Sequence, residues 1–215
     1  MAELNTTGYA LLGLLNQHPW SAYELTRFMR VSYLRAIWPR AESRLYEGPK
    51  KLIALGFATA SKERQGQRSR TVYTITDSGR EALAAWLSVE TRDVVFEHEA
   101  LLQLGNCDVG ELRDVEVILD RLRESTGADL EEMAVALEVL GDPAAERLSS
   151  DKRFVLNTLV NTFIFEVLLA RRRWLACAEQ LTADWGDLEP SEDKLAAVHA
   201  HYRELARRLQ DEDSK

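Results

Sequence analysis

A heptad run of apolar residues in the second half of the chain requires a long helix that packs against a partner. Eight apolar or small residues between 156 and 181 follow one another in alternating steps of four and three. These steps match the repeat of about 3.5 residues of a coiled-coil seam and exclude a strand, whose side chains alternate every two residues. The run predicts a helix over 151–183 with these interface residues: Leu156, Val160, Phe163, Val167, Trp174 and Leu181.

The seam can be covered in two ways. Residues 112–140 carry a weaker helical pattern of apolar and small residues and could pack against the seam within one chain. A second copy of the chain could cover it instead and form a homodimer. A last helix, beginning at Ser191 and continuing to Leu209, completes this half of the protein.

Charge divides the chain into two parts of opposite sign. Residues 1–88 contain 12 Lys+Arg and 7 Asp+Glu, whereas residues 89–215 contain 15 and 28, which together give the net charge of −8. Such asymmetry indicates a basic domain over 1–88 that meets a polyanion and an acidic domain over 89–215 with another role.

The basic part has the elements of a small DNA-binding fold. A helix ends before His18-Pro19, and Ser21 with Glu24 has the spacing of a capping box that begins a second helix. A third helix begins at Pro39, and Gly48-Pro49 predicts a kink within it. The elements predicted after it are strands over 57–62 and 71–76, a basic tip over 63–70 and a helix capped by Asp77.

This order is that of a winged helix-turn-helix. The predicted fold class is therefore mainly α-helical, with a winged helix-turn-helix domain followed by an α-helical dimerisation domain that could also bind an effector.

Polar and basic side chains occupy the positions where such a domain meets DNA. Arginine bonds guanine bidentately, lysine suits phosphate, and an arginine-rich hairpin tip suits a phosphate strand or the minor groove. An ordinary solvated surface is the alternative, and Ser21 could simply cap its helix while Tyr23 packs. The candidate DNA-binding residues are Ser21, Tyr23, Arg40, Ser43, Arg44, Lys50, Lys51, Arg64, Gln67, Arg68 and Arg70.

The sequence offers no grouping suited to catalysis, metal binding or a cofactor. His199 and His201 are two residues apart and so point to different sides of a helix, and Cys107 and Cys177 lack CxxC spacing. We therefore predict a protein that is not an enzyme. Trp86 and Trp174 could line a cavity for a small aromatic effector, although core or interface packing is the alternative.

The longest apolar stretch, residues 154–170, is shorter than the roughly 20 residues that a bilayer requires, and Asn157, Asn161 and Glu166 interrupt it. We therefore expect a soluble, cytoplasmic protein without a membrane partner.

Several segments together resemble the PadR family of bacterial transcriptional regulators. They are Tyr9-Ala-Leu-Leu-Gly-Leu-Leu15 with His18-Pro19, Ser21-Ala-Tyr-Glu-Leu25, Tyr46 with Lys50, Leu52 and Leu55-Gly56, and Tyr73-Thr-Ile-Thr-Asp-Ser-Gly-Arg80 with Trp86. Ala22 and Gly48-Pro49 depart from the family pattern. The resemblance implies a homodimer formed through carboxy-terminal helices that binds a pseudo-palindromic operator and represses, with some members releasing DNA on binding phenolic or drug-like compounds.

The sequence as a whole favours a sequence-specific DNA-binding transcriptional regulator, a dimeric repressor responsive to a small molecule. The alternative is a winged-helix module that binds a protein partner and does not recognise DNA specifically. A second alternative is an effector-binding module that has lost DNA recognition.

Overall fold

The computed structural model describes residues 4–32, 34–38, 42–65, 68–91, 93–142 and 152–212. The chain forms two compact units, Met1–Val94 and Val95–Lys215, and each has a hydrophobic core of its own. The boundary between them lies a few residues beyond the predicted one after residue 88. The roles assigned to the domains 1–88 and 89–215 stay predictions.

The first unit is a helical domain with a small sheet. In chain order its elements are α1 Thr6–Leu15, β1 Trp20–Ser21, α2 Ala22–Val31, α3 Leu34–Ile37, α4 Glu42–Ala54, β2 Ala58–Gln65, β3 Arg68–Ile75 and α5 Asp77–Trp86.

The core of this unit surrounds one face of α1. Leu11, Leu12, Leu14 and Leu15 are almost fully buried, and α1 contacts α4, α5 and β3. Asn5 begins the helix, since its side-chain oxygen accepts a hydrogen bond from the Gly8 backbone N–H at 3.0 Å. Burial of these four leucines makes α1 the centre on which the other elements pack.

The three strands form an antiparallel sheet in the order β1-β3-β2. Eight residue pairs join β2 to β3, and we call this hairpin the wing. On the other edge of β3, Trp20 pairs with Tyr73 and Ser21 pairs with Val72. The sheet therefore ties the wing to the residues that directly precede α2.

The wing is more regular than the sequence predicts. The predicted tip spans residues 63–70, whereas β2 and β3 pair as far as Gln65 and Arg68. Polar residues can extend the ladder because backbone hydrogen bonds, and not buried side chains, hold an exposed hairpin together.

The cap of α5 differs from the predicted cap, Asp77. The Thr76 hydroxyl accepts from the Gly79 N–H, and Asp77 lies in the first helical turn.

Helix α4 continues through the Gly48-Pro49 pair, at which the sequence predicts a kink. Pro49 is buried, and a Cβ atom added at Gly48 would overlap the side chain of Leu11. The pair therefore serves close packing between α4 and α1. A proline lacks one helical hydrogen bond, and burial of its ring offsets part of that loss.

The regular elements in the described residues of the second unit are all helices. Its elements are α6 Glu99–Leu104, a 3-10 turn Cys107–Val109, α7 Leu112–Gly141, α8 Lys152–Thr182 and α9 Glu192–Glu212. The three long predicted helices are thus confirmed, including the start of α9, where the Lys194 N–H donates to the Ser191 hydroxyl at 3.3 Å. With the winged first unit, they confirm the predicted, mainly α-helical fold class.

The core of the second unit lies between α7 and α8. Val115, Ile118, Leu119 and Leu122 of α7 form a stripe that packs with Leu175 of α8. Their steps of three and four residues place them on one side of α7.

Helix α8 leaves much of its apolar surface uncovered. By length and composition α8 could cross a membrane, since an 18-residue window has a mean hydropathy of 1.4. Only 11% of that window is buried within the single chain. Interfaces between protein subunits have the same character. The single chain therefore leaves an apolar face of α8 exposed to solvent.

Two glycines in helix interiors are expected to respond oppositely to alanine. Gly48→Ala should lower the free energy of unfolding by about 1–3 kcal/mol, because the new methyl group meets the buried Leu11 side chain. Gly127→Ala in α7 should raise the free energy of unfolding by about 0.5–1 kcal/mol, because no atom of a neighbouring described residue lies within 4 Å of the added Cβ and alanine favours helix. Urea unfolding measures both, and equal effects would contradict the packing of α4 on α1.

Candidate nucleic-acid interface

Helix α4 presents one buried and one exposed face. Leu45, Pro49 and Leu52 are buried, whereas Tyr46, Glu47 and Lys50 are exposed. Because the exposed side chains are spaced by one and three residues, they lie on the side away from the core. Lys50 and Lys51 are both exposed near the carboxyl half of the helix, where lysines can reach a phosphate strand.

The predicted base-contacting residues are only partly within the described chain. Ser43 and Arg44 lie in the first turn of α4, and their side chains are outside the described part of the structure. Arg40 lies outside the described residues. The role of these three residues in reading bases stays a prediction.

The amino terminus of α2 is held by a complete capping box. The Ser21 hydroxyl accepts from the Glu24 N–H at 3.3 Å, and the Ser21 N–H donates to Glu24 Oε2 at 2.8 Å. Ser21 is only 7% exposed. Its hydroxyl is therefore engaged in capping, the alternative that the sequence left open.

The Glu24 carboxylate is stabilised in its charged form. Its pKa lies below the ordinary value because the Ser21 backbone N–H and the Ser21 hydroxyl donate to it and because Arg70 stands beside it, although partial burial acts in the opposite direction. The contribution of this carboxylate to stability is present above the ordinary pKa of glutamate and is lost as pH falls through the lowered value.

Next to the cap, Tyr23 projects into solvent with 64% of its surface exposed. Arg27 is exposed one helical turn further along α2. Residues four apart lie on the same face of a helix, so a phenol and a guanidinium are presented together. Sequence reasoning selected Tyr23 and missed Arg27, although the four-residue spacing could have identified it.

The wing carries its basic residues in two different states. Lys62 and Arg64 of β2 are exposed. Arg70 of β3 is instead ion-paired, with Nη1 at 2.7 Å from Glu24 Oε1 and Nη2 at 3.3 Å from Glu63 Oε2. Arg68 lies in β3 with its side chain outside the described part, and Gln67 lies outside the described residues.

Lys62 is a second residue that sequence reasoning missed. It stands two positions before Arg64 in β2, and residues two apart in a strand share a face. The wing therefore presents at least two cations on one side. Together with Tyr23, Arg27, Lys50 and Lys51, they give the first unit a set of exposed groups that suit a phosphate backbone.

The predicted dimer seam lies on an exposed side of α8. Phe163 is 59% exposed and Trp174 40%, and Leu156 and Val167 are also exposed, while Val160 and Leu181 are half-buried. The buried residues Ile164, Leu168 and Leu175 each follow a seam position by one residue. Successive residues are about 100° apart round a helix, so the buried stripe and the seam face different directions.

Polar contacts fix the side of α8 that packs on α7. Arg171 Nη1 lies 2.9 Å from Asp129 Oδ2, and Arg123 Nε lies 2.7 Å from Glu179 Oε1. Both pairs join α7 to α8. Within the described chain, α7 thus covers the buried stripe of α8 and leaves the seam of α8 uncovered.

The two candidate effector tryptophans have different surroundings. Trp86 of α5 stacks on Tyr9 of α1, with ring centroids 4.9 Å apart and planes at 8°, so it packs in the first unit. Trp174 lies on the exposed seam. An open cavity of about 410 Å³ in the second unit is lined by Gln103, Cys107, Asp114 and Arg121, among others, and by neither tryptophan.

The titratable groups of the second unit show no assembled reactive site in the part of the chain that is described. Burial raises the pKa of the Cys107 thiol, and Asp114 and Asp108 raise it further, so the thiol is protonated at neutral pH. Cys177 Sγ lies 3.9 Å from His201 Nε2. Among the described residues, no three His, Cys, Asp or Glu side chains form a group that could hold a metal ion.

Part of the chain is similar in sequence to one family of regulators. Residues 11–85 match the model of the transcriptional regulator PadR-like family. Over 80 residues the chain is 38% identical to the negative transcriptional regulator PadR of Bacillus subtilis, a match that covers 37% of this chain and 43% of that protein.

Solved structures resemble a much larger part of the chain. The crystal structure of Bacillus subtilis PadR in complex with operator DNA has a TM-score of 0.67 and 25% identity, covering 83% of this chain and 98% of that one. The structure of the same regulator with p-coumaric acid has a TM-score of 0.61 and 25% identity, with the same coverage.

Proposed function

We propose that the protein is a sequence-specific DNA-binding regulator that acts as a dimeric repressor in the cytoplasm, because residues 11–85 match the model of the PadR-like family of transcriptional regulators. The observation that carries this proposal is the fold shared with a PadR regulator solved on its operator, which extends over 83% of the chain. The curated relative is matched over 43% of its length, so its activity is extended to this chain as a proposal.

The exposed groups support a division of labour in DNA binding. The first turn of α4, with Ser43, Arg44 and the preceding Arg40, enters the major groove and reads bases. Tyr23, Arg27, Lys50, Lys51, Lys62 and Arg64 contact the phosphate backbone, where exposed cations are useful without precise geometry. A protein of this kind has no need for catalytic chemistry, and we propose that it has none.

Dimerisation supplies the second reading domain and covers the apolar seam. Two copies that meet along Leu156, Val160, Phe163, Val167 and Trp174 remove from water the surface that α7 leaves exposed. Two winged units then read two half-sites of a pseudo-palindromic operator, because a two-fold protein requires a two-fold site.

A small aromatic acid is the proposed effector class. The support is that Bacillus subtilis PadR was solved with p-coumaric acid. An effector lowers operator affinity only if it binds better to a dimer whose reading units are incorrectly spaced for DNA.

Operator binding is expected to be specific and steeply dependent on salt. Titration of a fluorescent duplex from the region upstream of the gene, at roughly 50 and 200 mM salt, should show two protomers per site and much weaker binding to an unrelated duplex. Arg64→Ala should reduce the slope of log K against log salt by about one unit.

Arg113→Ala, which removes an exposed arginine of α7, is the control and should leave the slope unchanged. Equal, weak binding of the two duplexes, with little dependence on salt, would contradict the regulator and favour the module that binds a protein partner.

The dimer is expected to depend on the seam of α8. Val167→Asp places a charge in the interface and should convert the protein to a monomer by light scattering, because burying an unpaired carboxylate is unfavourable. Thr158→Asp introduces the same charge on an exposed position off the seam and should leave the dimer intact. A Val167→Asp protein that remains dimeric would overturn this interface.

The effector proposal is tested on the complex with DNA. Added p-coumaric acid should release the operator duplex, whereas a saturated acid of the same size, 3-cyclohexylpropionic acid, should release little. Equal release by the two acids, or release by neither, would exclude an aromatic-acid site.

A further inference from the structure

The basic residues of the wing are not equivalent in their surroundings. Arg70 forms two ion pairs, its side chain is 36% exposed, and its buried Nε atom has no hydrogen-bond partner among the described residues. Lys62 and Arg64, predicted or inferred above to contact phosphate, are exposed on the neighbouring strand. The geometry of Arg70 is that of a side chain held by the protein.

Glu24 connects Arg70 to the beginning of α2. One oxygen of this carboxylate, Oε2, accepts from both the N–H and the hydroxyl of Ser21 at 2.8 Å. The other oxygen, Oε1, accepts from Arg70 Nη1 at 2.7 Å. The carboxylate therefore joins the cap of α2 to a strand of the wing, and both oxygens are occupied.

The second ion pair lies across the wing itself. Glu63 of β2 is directly opposite Arg70 of β3 in the sheet register. Cross-strand partners share a face, and alternation along β2 places Lys62 and Arg64 on the opposite face from Glu63. One face of the wing thus carries an arginine between two carboxylates, and the other face carries two exposed cations.

The electrostatics of the first face oppose a phosphate contact. A phosphate that approaches Arg70 also approaches Glu24 and Glu63, two negative charges against one positive charge. To reach DNA, the guanidinium would have to leave two charge-assisted hydrogen bonds. Lys62 and Arg64 have no such cost, because within the described part of the chain neither of them forms an ion pair that would have to be broken.

We propose that Arg70 is a positioning residue that fixes the wing to the amino terminus of α2 through Glu24 and Glu63, and that it does not contact phosphate. Arg70 sets the angle between the wing and helices α2 and α4, while Lys62 and Arg64 bind the DNA backbone. This inference rests on the proposed DNA-binding function and revises one of the predicted DNA contacts.

The two roles predict opposite signs for the removal of a carboxylate. If Arg70 positions the wing, Glu24→Gln and Glu63→Gln should each weaken operator binding, roughly threefold to tenfold for a coupled pair. If Arg70 contacts phosphate, both changes should strengthen binding, because they free the arginine and remove a negative charge near the DNA. Glu63 lies outside the cap of α2, so its variant separates the ion pair from helix capping.

Replacement of Arg70 gives a second, independent readout. Lys is a good phosphate ligand but lacks the planar fork with which Arg70 directs Nη1 to Glu24 and Nη2 to Glu63. The Arg70→Lys variant should therefore bind the operator as weakly as Arg70→Gln. In both variants the slope of log K against log salt should fall less than it does in Arg64→Gln. Recovery of wild-type affinity by Arg70→Lys would overturn the positioning role.

A measurement without DNA separates this inference from the proposed function. Amide hydrogen exchange in β2 and β3 should be faster in Arg70→Gln and in Glu24→Gln, and the double variant should exchange no faster than either one. Unchanged exchange would overturn the positioning role, even if the protein binds DNA. Faster exchange in a protein without operator binding would support it and reject the regulator function instead.

Discussion

Four leucines of α1 occupy the centre of the first unit, and the elements that would meet DNA are arranged round them. Leu11 also determines how close α4 can come, because it fills the space beside Gly48. The indole N–H of Trp20 donates to the Leu14 carbonyl at 2.9 Å and so joins β1, and through it the sheet, to the same helix. The position of the reading helix and the base of the wing thus both depend on the packing of α1.

The long helix α8 of the second unit has one packed side and one free side. Helix α8 places one apolar stripe on α7 and presents another, about a quarter turn away, to solvent. The ion pair of Arg171 with Asp129 specifies which stripe faces inward, because a charged pair at the edge of an apolar contact would be lost in the alternative packing. In the proposed dimer, one side of this helix folds the chain and the other joins two chains.

Much of the fold could be predicted because its signals are local. The capping box of Ser21 and Glu24, the long helices of the second half and the order of helices and hairpin depend on residues close in sequence. The strand β1 was not predictable, because two residues carry no period. The length of the wing was underestimated, because polar residues from 63 to 70 resemble a loop when their pairing partners are unknown.

For the candidate site, the sequence identified residue types and the structure sorted them by surroundings. Tyr23, Lys50, Lys51 and Arg64 are exposed as a DNA contact requires, whereas Ser21 caps a helix and Arg70 is ion-paired. The ion pair of Arg70 could not be predicted, since Glu24 and Arg70 are 46 residues apart and meet only through the sheet.

Periodicity, capping residues and charge asymmetry alone determined most of the long helices, the hairpin, their order and the basic character of the first domain, because these properties depend on neighbours along the chain. Tertiary structure decided which stripe of α8 is buried and which basic side chains remain available to a partner. Both depend on contacts between residues far apart in sequence, which packing creates and no local pattern contains.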